Sequence, residues 1–223
     1  GETYGLLGEH ANALAAFQGM RDLGLVELEV DEGNVTVRRK LYLAFVGIAK
    51  AQRVLGDTGA VRENAEYALL VLRKGEGEGA ERRHDLDVWE VRMLAGDVAI
   101  FLGDYSSARD DLNEAARRLL PHAEAEPGDV EVQRKLAETY ERRGDAEMGL
   151  GEAERAFDTY WEALEIHGDL PRGQGGRNDL AVGRSAMKAG RALSMAGNPT
   201  PALRYLTRAE RYLRDRFEAD PQR

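Results

Sequence analysis

Five glycines, Gly8, Gly56, Gly103, Gly151 and Gly197, stand 48, 47, 48 and 46 residues apart, and the same residue types return around each of them. One residue before the glycine come Leu7, Leu55, Leu102, Leu150 and Ala196. Seven before come Gly1, Ala49, Gly96, Gly144 and Gly190, all small. Five after stand Ala13, Val61, Ala108, Ala156 and Ala202, and nine after stand Phe17, Ala65, Leu112, Tyr160 and Leu206. Twelve after, the column reads Met20, Ala68, Ala115, Ala163 and Ala209. A period of this length is one supersecondary unit, which cannot bury its own apolar face and has to stack on its neighbours.

The columns fit a helix-turn-helix unit. Glycine after a helical run supplies the left-handed cap that other residues adopt less readily. Polar residues or proline then open the next helix, as at Asp57-Thr58, Asp104 and Asn198-Pro199. Small residues seven before and five after the turn let two antiparallel helices approach closely, with bulkier residues filling the gaps. Glycine inside a helix costs about 1 kcal/mol against alanine, so its return at Gly96, Gly144 and Gly190 implies positions with no room for a side chain.

The pattern small-x(6)-Leu-Gly-x(4)-Ala-x(3)-aromatic or Leu-x(2)-Ala resembles the tetratricopeptide repeat (TPR), most closely in YERRGDAEMGLGEAERAFDTYWEALEI, from Tyr140 to Ile166. The resemblance implies an all-α, right-handed superhelical α-solenoid of antiparallel helix pairs. Residues 1–223 read as a single solenoid of about four and a half repeats, a half repeat over 1–35 and repeats over about 36–80, 81–128, 129–176 and 177–223. The unit here averages about 47 residues, whereas the usual one has about 34. The surplus lengthens both helices to roughly 18–20 residues, or about 27–30 Å. Long repeats of this kind resemble those of bacterial multidomain signalling proteins, including C-terminal regions of eukaryotic-like Ser/Thr kinases.

Composition narrows the function. A net charge of −9 argues against nonspecific nucleic-acid binding, which depends on neutralising phosphates with Lys and Arg. The charge is uneven: residues 177–216 carry nine bases and three acids, a net +6, leaving −15 for the rest. Such a basic end is either a solvated helical face or a docking end for an acidic partner or a neighbouring subunit. No apolar run reaches the roughly 18 residues of a membrane span, and no signal-like segment opens the chain. With no cysteine, the reading is cytoplasmic, an extracytoplasmic part of a membrane-anchored protein being the alternative.

No constellation carries chemistry. The histidines His10, His84, His122 and His167 are scattered, and neither His84-Asp85-x-Asp87 nor His122-x-Glu124-x-Glu126 has convincing metal-ligand spacing on a helix. Ser106, Ser107, Ser185 and Ser194 lack a nucleophile-elbow setting. Tyr160, Trp161, Trp89 and Phe157 fall at helical spacing, as packing residues do. The glycine-rich stretches KGEGEGAERRHDL and LPRGQGGRNDL follow no strand and hold no Gly-Lys-Ser/Thr, so they read as mobile linkers rather than phosphate loops. No enzyme activity, cofactor or metal is expected.

What remains is surface. In a stack of the resembled kind the first helix of each pair lines the concave side, with a stripe about 13, 10, 6 and 2–3 residues before each glycine facing inward. That selects Leu43, Val46, Lys50 and Arg53, then Glu90, Met93, Asp97, Ile100 and Phe101. Glu138, Glu141, Asp145 and Met148 follow, then Arg184, Met187, Arg191 and Ser194. The carboxylate-gripping groove of TPR co-chaperones uses an Asn that this stripe lacks. A mixed stripe with Met93, Phe101, Met148 and Met187 suits a peptide with apolar and charged anchors. A noncatalytic protein-binding scaffold, the regulatory part of a larger signalling protein, is therefore the first reading, with self-association through exposed solenoid ends as the alternative. GETYGLLG reads as the second half of a first helix with its turn at Leu7-Gly8, and the chain as a piece of a longer solenoid.

Overall fold

The computed structural model describes residues 2–72, 79–171 and 177–219. Of the two glycine-rich linkers, 74–78 and 172–176 lie outside the described residues, while 80–86 and 177–180 open α4 and α8 rather than continuing the linkers. The described residues form helices and tight connections: α1 (Glu2–Val30), α2 (Val35–Leu55), α3 (Thr58–Val71), α4 (Ala80–Leu102), α5 (Tyr105–Ala125), α6 (Val130–Gly149), α7 (Ala153–Asp169), α8 (Arg177–Met195) and α9 (Pro199–Ala219). The fold is all-α and built of antiparallel helix pairs. They divide into two compact units, residues 1–98 and 99–223.

Four of the five periodic glycines do what the repeat demands. Gly56, Gly103, Gly151 and Gly197 have φ of 84°, 77°, 78° and 81°, in the left-handed region. Each closes the same double cap. At Gly151 its own N–H donates to the Met148 carbonyl at 3.1 Å, and the following Glu152 N–H donates to the Glu147 carbonyl at 2.9 Å. The same pair of bonds recurs at Gly56, Gly103 and Gly197. Asp57 and Asp104 then accept from the N–H groups of Ala60 and Ser107 with their side chains, opening the next helix.

Gly8 departs from the expected turn: α1 runs unbroken from Glu2 to Val30. A left-handed cap is favourable where the chain folds back on a helix long enough to pack against. Continuing the helix through Gly8 keeps its backbone hydrogen bonds in series at a cost of about 1 kcal/mol for the glycine.

In the first unit α1 and α3 both pack on α2. Leu41, Tyr42, Phe45, Val46, Ala65, Ala68 and Val91 form its core, with Leu28 of α1 against it, and Ala49, Val61, Leu94 and Val98 form a second cluster. In the second unit α5 to α9 pack each on the next. Ala156, Tyr160, Ala189 and Ala192 cluster beside Leu164, Val182, Ala186 and Ala209. Close approach explains the interior glycines: a Cβ on Gly144 would stand 2.5 Å from the Tyr160 ring, and one on Gly190 2.8 Å from Leu206. No helix among the described residues is long and apolar enough to cross a membrane.

Candidate peptide-binding site

The charges of the predicted stripe are largely consumed by one another. In the first unit Lys50 on α2 pairs with Glu90 on α4, Arg53 pairs with Asp97 at 3.2 Å, and Arg39 pairs with Asp87. Glu90 also accepts from the Tyr42 hydroxyl at 2.8 Å. In the second unit Arg184 on α8 donates to Glu141 on α6 at 2.8 Å, and Lys188 donates to both oxygens of Asp145 at 2.7 Å. The alternation of basic and acidic helices thus joins neighbouring first helices within each unit.

Glu141 corrects the stripe. Its side chain is buried, with the residue 5% exposed, and it faces neighbouring helices rather than an open groove. Ser185, itself buried, donates to it at 2.5 Å, and His167 Nε2 lies 3.6 Å away. Burial works against ionisation, yet the His167 and Ser185 contacts and the charges of Arg184 and Lys188 outweigh it, holding the carboxyl at about 2. The cluster brings a serine, a histidine and a glutamate together. Ser185 donates to Glu141 instead of to His167, and all three are buried, so it is a structural knot and not a nucleophile relay. Phe101 stands 78% exposed at the end of α4.

Beside Asp145 the second unit holds a pocket of about 460 Å³, a size suited to a side chain or short peptide segment. Met148, Met187, Met195 and Ile100 give it an apolar lining, with Tyr105, Gly149 and Tyr160, while Asp145, Lys188 and Arg191 supply charge. The Tyr105 ring lies so close over Gly149 that a Cβ there would overlap it. Tyr160 donates its hydroxyl to Asp145 at 2.7 Å. Burial first, and the Asp145 carboxylate second, push that phenol well above its ordinary value, so it stays a donor. With Asp145 neutralised by Lys188, the remaining charge is Arg191, exposed and without an ion pair among the described residues.

Of the predicted stripe, the pocket therefore gathers Ile100, Asp145, Met148, Met187 and Arg191. Lys50, Arg53, Glu90, Met93 and Asp97 belong to the first unit, and Glu138 is half-buried outside the pocket. Sequence reasoning missed Tyr105, Gly149, Lys188 and Met195, and took Tyr160 for a packing residue. Lys188 and Met195 were legible: with Arg184 and Arg191 they continue an i, i+3, i+4 face of α8, one residue off the chosen Met187 and Ser194. Tyr105 had no such signal, because it opens α5 at the turn.

No family model and no curated protein sequence matches the chain. Solved structures do. BtubC (BKLC) from P. vanneervenii matches with a TM-score of 0.64 and 15% identity, over 92% of this chain and 91% of that one. MamA matches with a TM-score of 0.59 and 15% identity, over 91% of each chain. A kinesin light chain-type protein of Podosopora anserina, with nearly identical TPR-like repeats, matches at 0.55 and 14%, over 95% of this chain and 92% of that one. At these identities the likeness concerns the fold, which is that of TPR-like helical-repeat proteins.

Proposed function

We propose that the protein is a noncatalytic protein–protein interaction scaffold that holds a peptide segment of its partner in the pocket of the second unit. The observation that carries this reading is the pocket itself: three flexible methionines around a cavity whose one acid is already neutralised. Methionine linings adapt to differently shaped apolar side chains. Arg191 at the same site suits a carboxylate one or two residues away on the bound segment. The TPR-like fold supports the reading, since such arrays present extended binding surfaces. A regulatory place within a larger bacterial signalling protein, in the cytoplasm, is the setting we propose for it.

A display library of random peptides, panned against the chain, tests the proposal. Enriched peptides are expected to pair a bulky apolar residue with a nearby Asp or Glu. Met187→Glu is expected to abolish their binding, and Arg191→Glu to weaken it about tenfold or more, the loss of one charge-assisted contact. Enriched peptides that bind both variants as well as the parent would remove the pocket from the proposal.

A further inference from the structure

The pocket of the second unit gathers the chain's most oxidisable side chains as well as its apolar ones. Of the five methionines, Met187 and Met195 are 45% and 61% exposed, while Met20, Met93 and Met148 are half-buried. Met148 packs against the cluster of Ala156, Tyr160, Ala189 and Ala192. Both exposed thioethers line the pocket, so the methionines most open to a solute in water are those that a peptide seated there covers. With no cysteine among the 223 residues, thioethers are also the softest two-electron donors these residues offer an oxidant.

Their placement adds an electrostatic consequence. Met187, Arg191 and Met195 stand at i, i+4 and i+8 on α8, one row along the helix surface. Neighbours in such a row have Cβ atoms about 5–6 Å apart, which puts a thioether within reach of the Arg191 guanidinium on either side. A thioether sulfur accepts hydrogen bonds only weakly, whereas a sulfoxide presents a polar oxygen. Asp145, the acid of the pocket, is already held by Lys188 and by the Tyr160 hydroxyl. Arg191 has no ion pair among the described residues, so a sulfoxide oxygen meets no carboxylate of the pocket competing for it.

Resting on the peptide-binding reading of this pocket, we infer that Met187 and Met195 are a reversible oxidation site that switches the pocket off. The oxidant is a hydroperoxide, hydrogen peroxide being the simplest. The sulfur lone pair takes one peroxide oxygen as the O–O bond breaks, and the proton of that oxygen passes to the departing hydroxide, which leaves as water. Sulfur is oxidised by two electrons and the peroxide is reduced by two. Each sulfoxide places a solvated oxygen where the apolar side chain of the peptide sits, and draws Arg191 away from the peptide carboxylate. Both changes act against the same ligand. A sulfoxide reductase reverses them at the expense of two thiols, which become a disulfide while the oxygen leaves as water.

Titration of the whole chain with hydrogen peroxide, followed by mass-spectrometric peptide mapping, tests the site. Met187 and Met195 are expected to gain one oxygen each ahead of Met20, Met93 and Met148. A peptide selected against the untreated chain is then expected to bind about tenfold or more weakly by fluorescence anisotropy, with the far-UV circular dichroism unchanged. Affinity is expected to return after treatment with the two methionine sulfoxide reductases, one for each sulfoxide epimer. The loss is expected to be larger for a peptide carrying its Asp or Glu than for the same peptide with the amide there. Met187→Leu/Met195→Leu, a swap that conserves volume, is expected to show no response to peroxide when compared with its own untreated sample. Oxidation spread evenly over all five methionines, undiminished binding with both sulfoxides formed, or a double variant that still responds would each overturn the inference and leave the peptide pocket standing. A chain that selects no peptide before oxidation would overturn the pocket reading, and this inference with it.

Discussion

Each unit joins its first helices with ion pairs, but the two sets sit in different surroundings. Lys50–Glu90 and Arg53–Asp97 in the first unit lie near water, with half of the basic side chain exposed in each. In the second unit one acid, Glu141, is buried and receives donors from Ser185 and Arg184 beside His167. Lys50–Glu90 and Arg53–Asp97 are surface pairs, each worth about 0–1 kcal/mol, while the acid of the third pair, Arg39–Asp87, is buried. Glu141 is a desolvated carboxylate, whose worth lies in what is lost when its partners are left without it. The same alternation of charge therefore sets register cheaply in one unit and locks it in the other.

The largest way to break the comparison is Glu141→Ala, which leaves the buried Ser185 hydroxyl without its acceptor, while the half-exposed Arg184 turns to water. Thermal unfolding of the variant is expected to show a loss of about 1–3 kcal/mol, the cost of a buried donor left unsatisfied. Acid gives a similar figure by a different route. The folded carboxyl is held at about 2 against an ordinary 4.5, so its stabilisation is complete above 4.5 and is lost as pH falls from there towards 2. That contribution is about 3 kcal/mol, and Glu141→Gln is expected to flatten this part of the stability profile. Asp145→Asn keeps an acceptor for Tyr160 while removing the charge opposite Lys188, with an expected cost of about 1–2 kcal/mol. Lys50→Ala in the first unit is expected to cost under about 1 kcal/mol, vanishing in high salt. Equal losses for Glu141→Ala and Lys50→Ala would show that burial does not separate the two sets.

The fold was legible because the repeat is carried by backbone needs. A left-handed cap leaves glycine favoured at Gly56, Gly103, Gly151 and Gly197, and a ring stacked on a helix leaves glycine favoured at Gly144. Gly8 misled because the residue type marks permission for a turn and not the turn itself; here the helix continues through it. Gly8→Ala is accordingly expected to raise stability slightly, by up to about 1 kcal/mol, where Gly151→Ala lowers it. The site was legible only in part. A stripe read from the period gives direction to within a residue, which caught Met148 and Met187 but took Ser194 where Met195 faces the pocket. It also could not distinguish a charge offered to a ligand from one spent on the next helix. Glu141 and Arg191 look alike in the sequence, and only packing separates the buried knot from the open cation.

Five methionines make the binding claim measurable without a known partner. Met20 and Met93 lie in the first unit, and Met148, Met187 and Met195 line the pocket. With the methyl groups labelled with carbon-13, peptides selected against the chain are expected to shift the signals of Met148, Met187 and Met195 and leave Met20 and Met93 in place. Selected peptides that move Met93 while the three pocket signals stay still would contradict a binding site in the second unit.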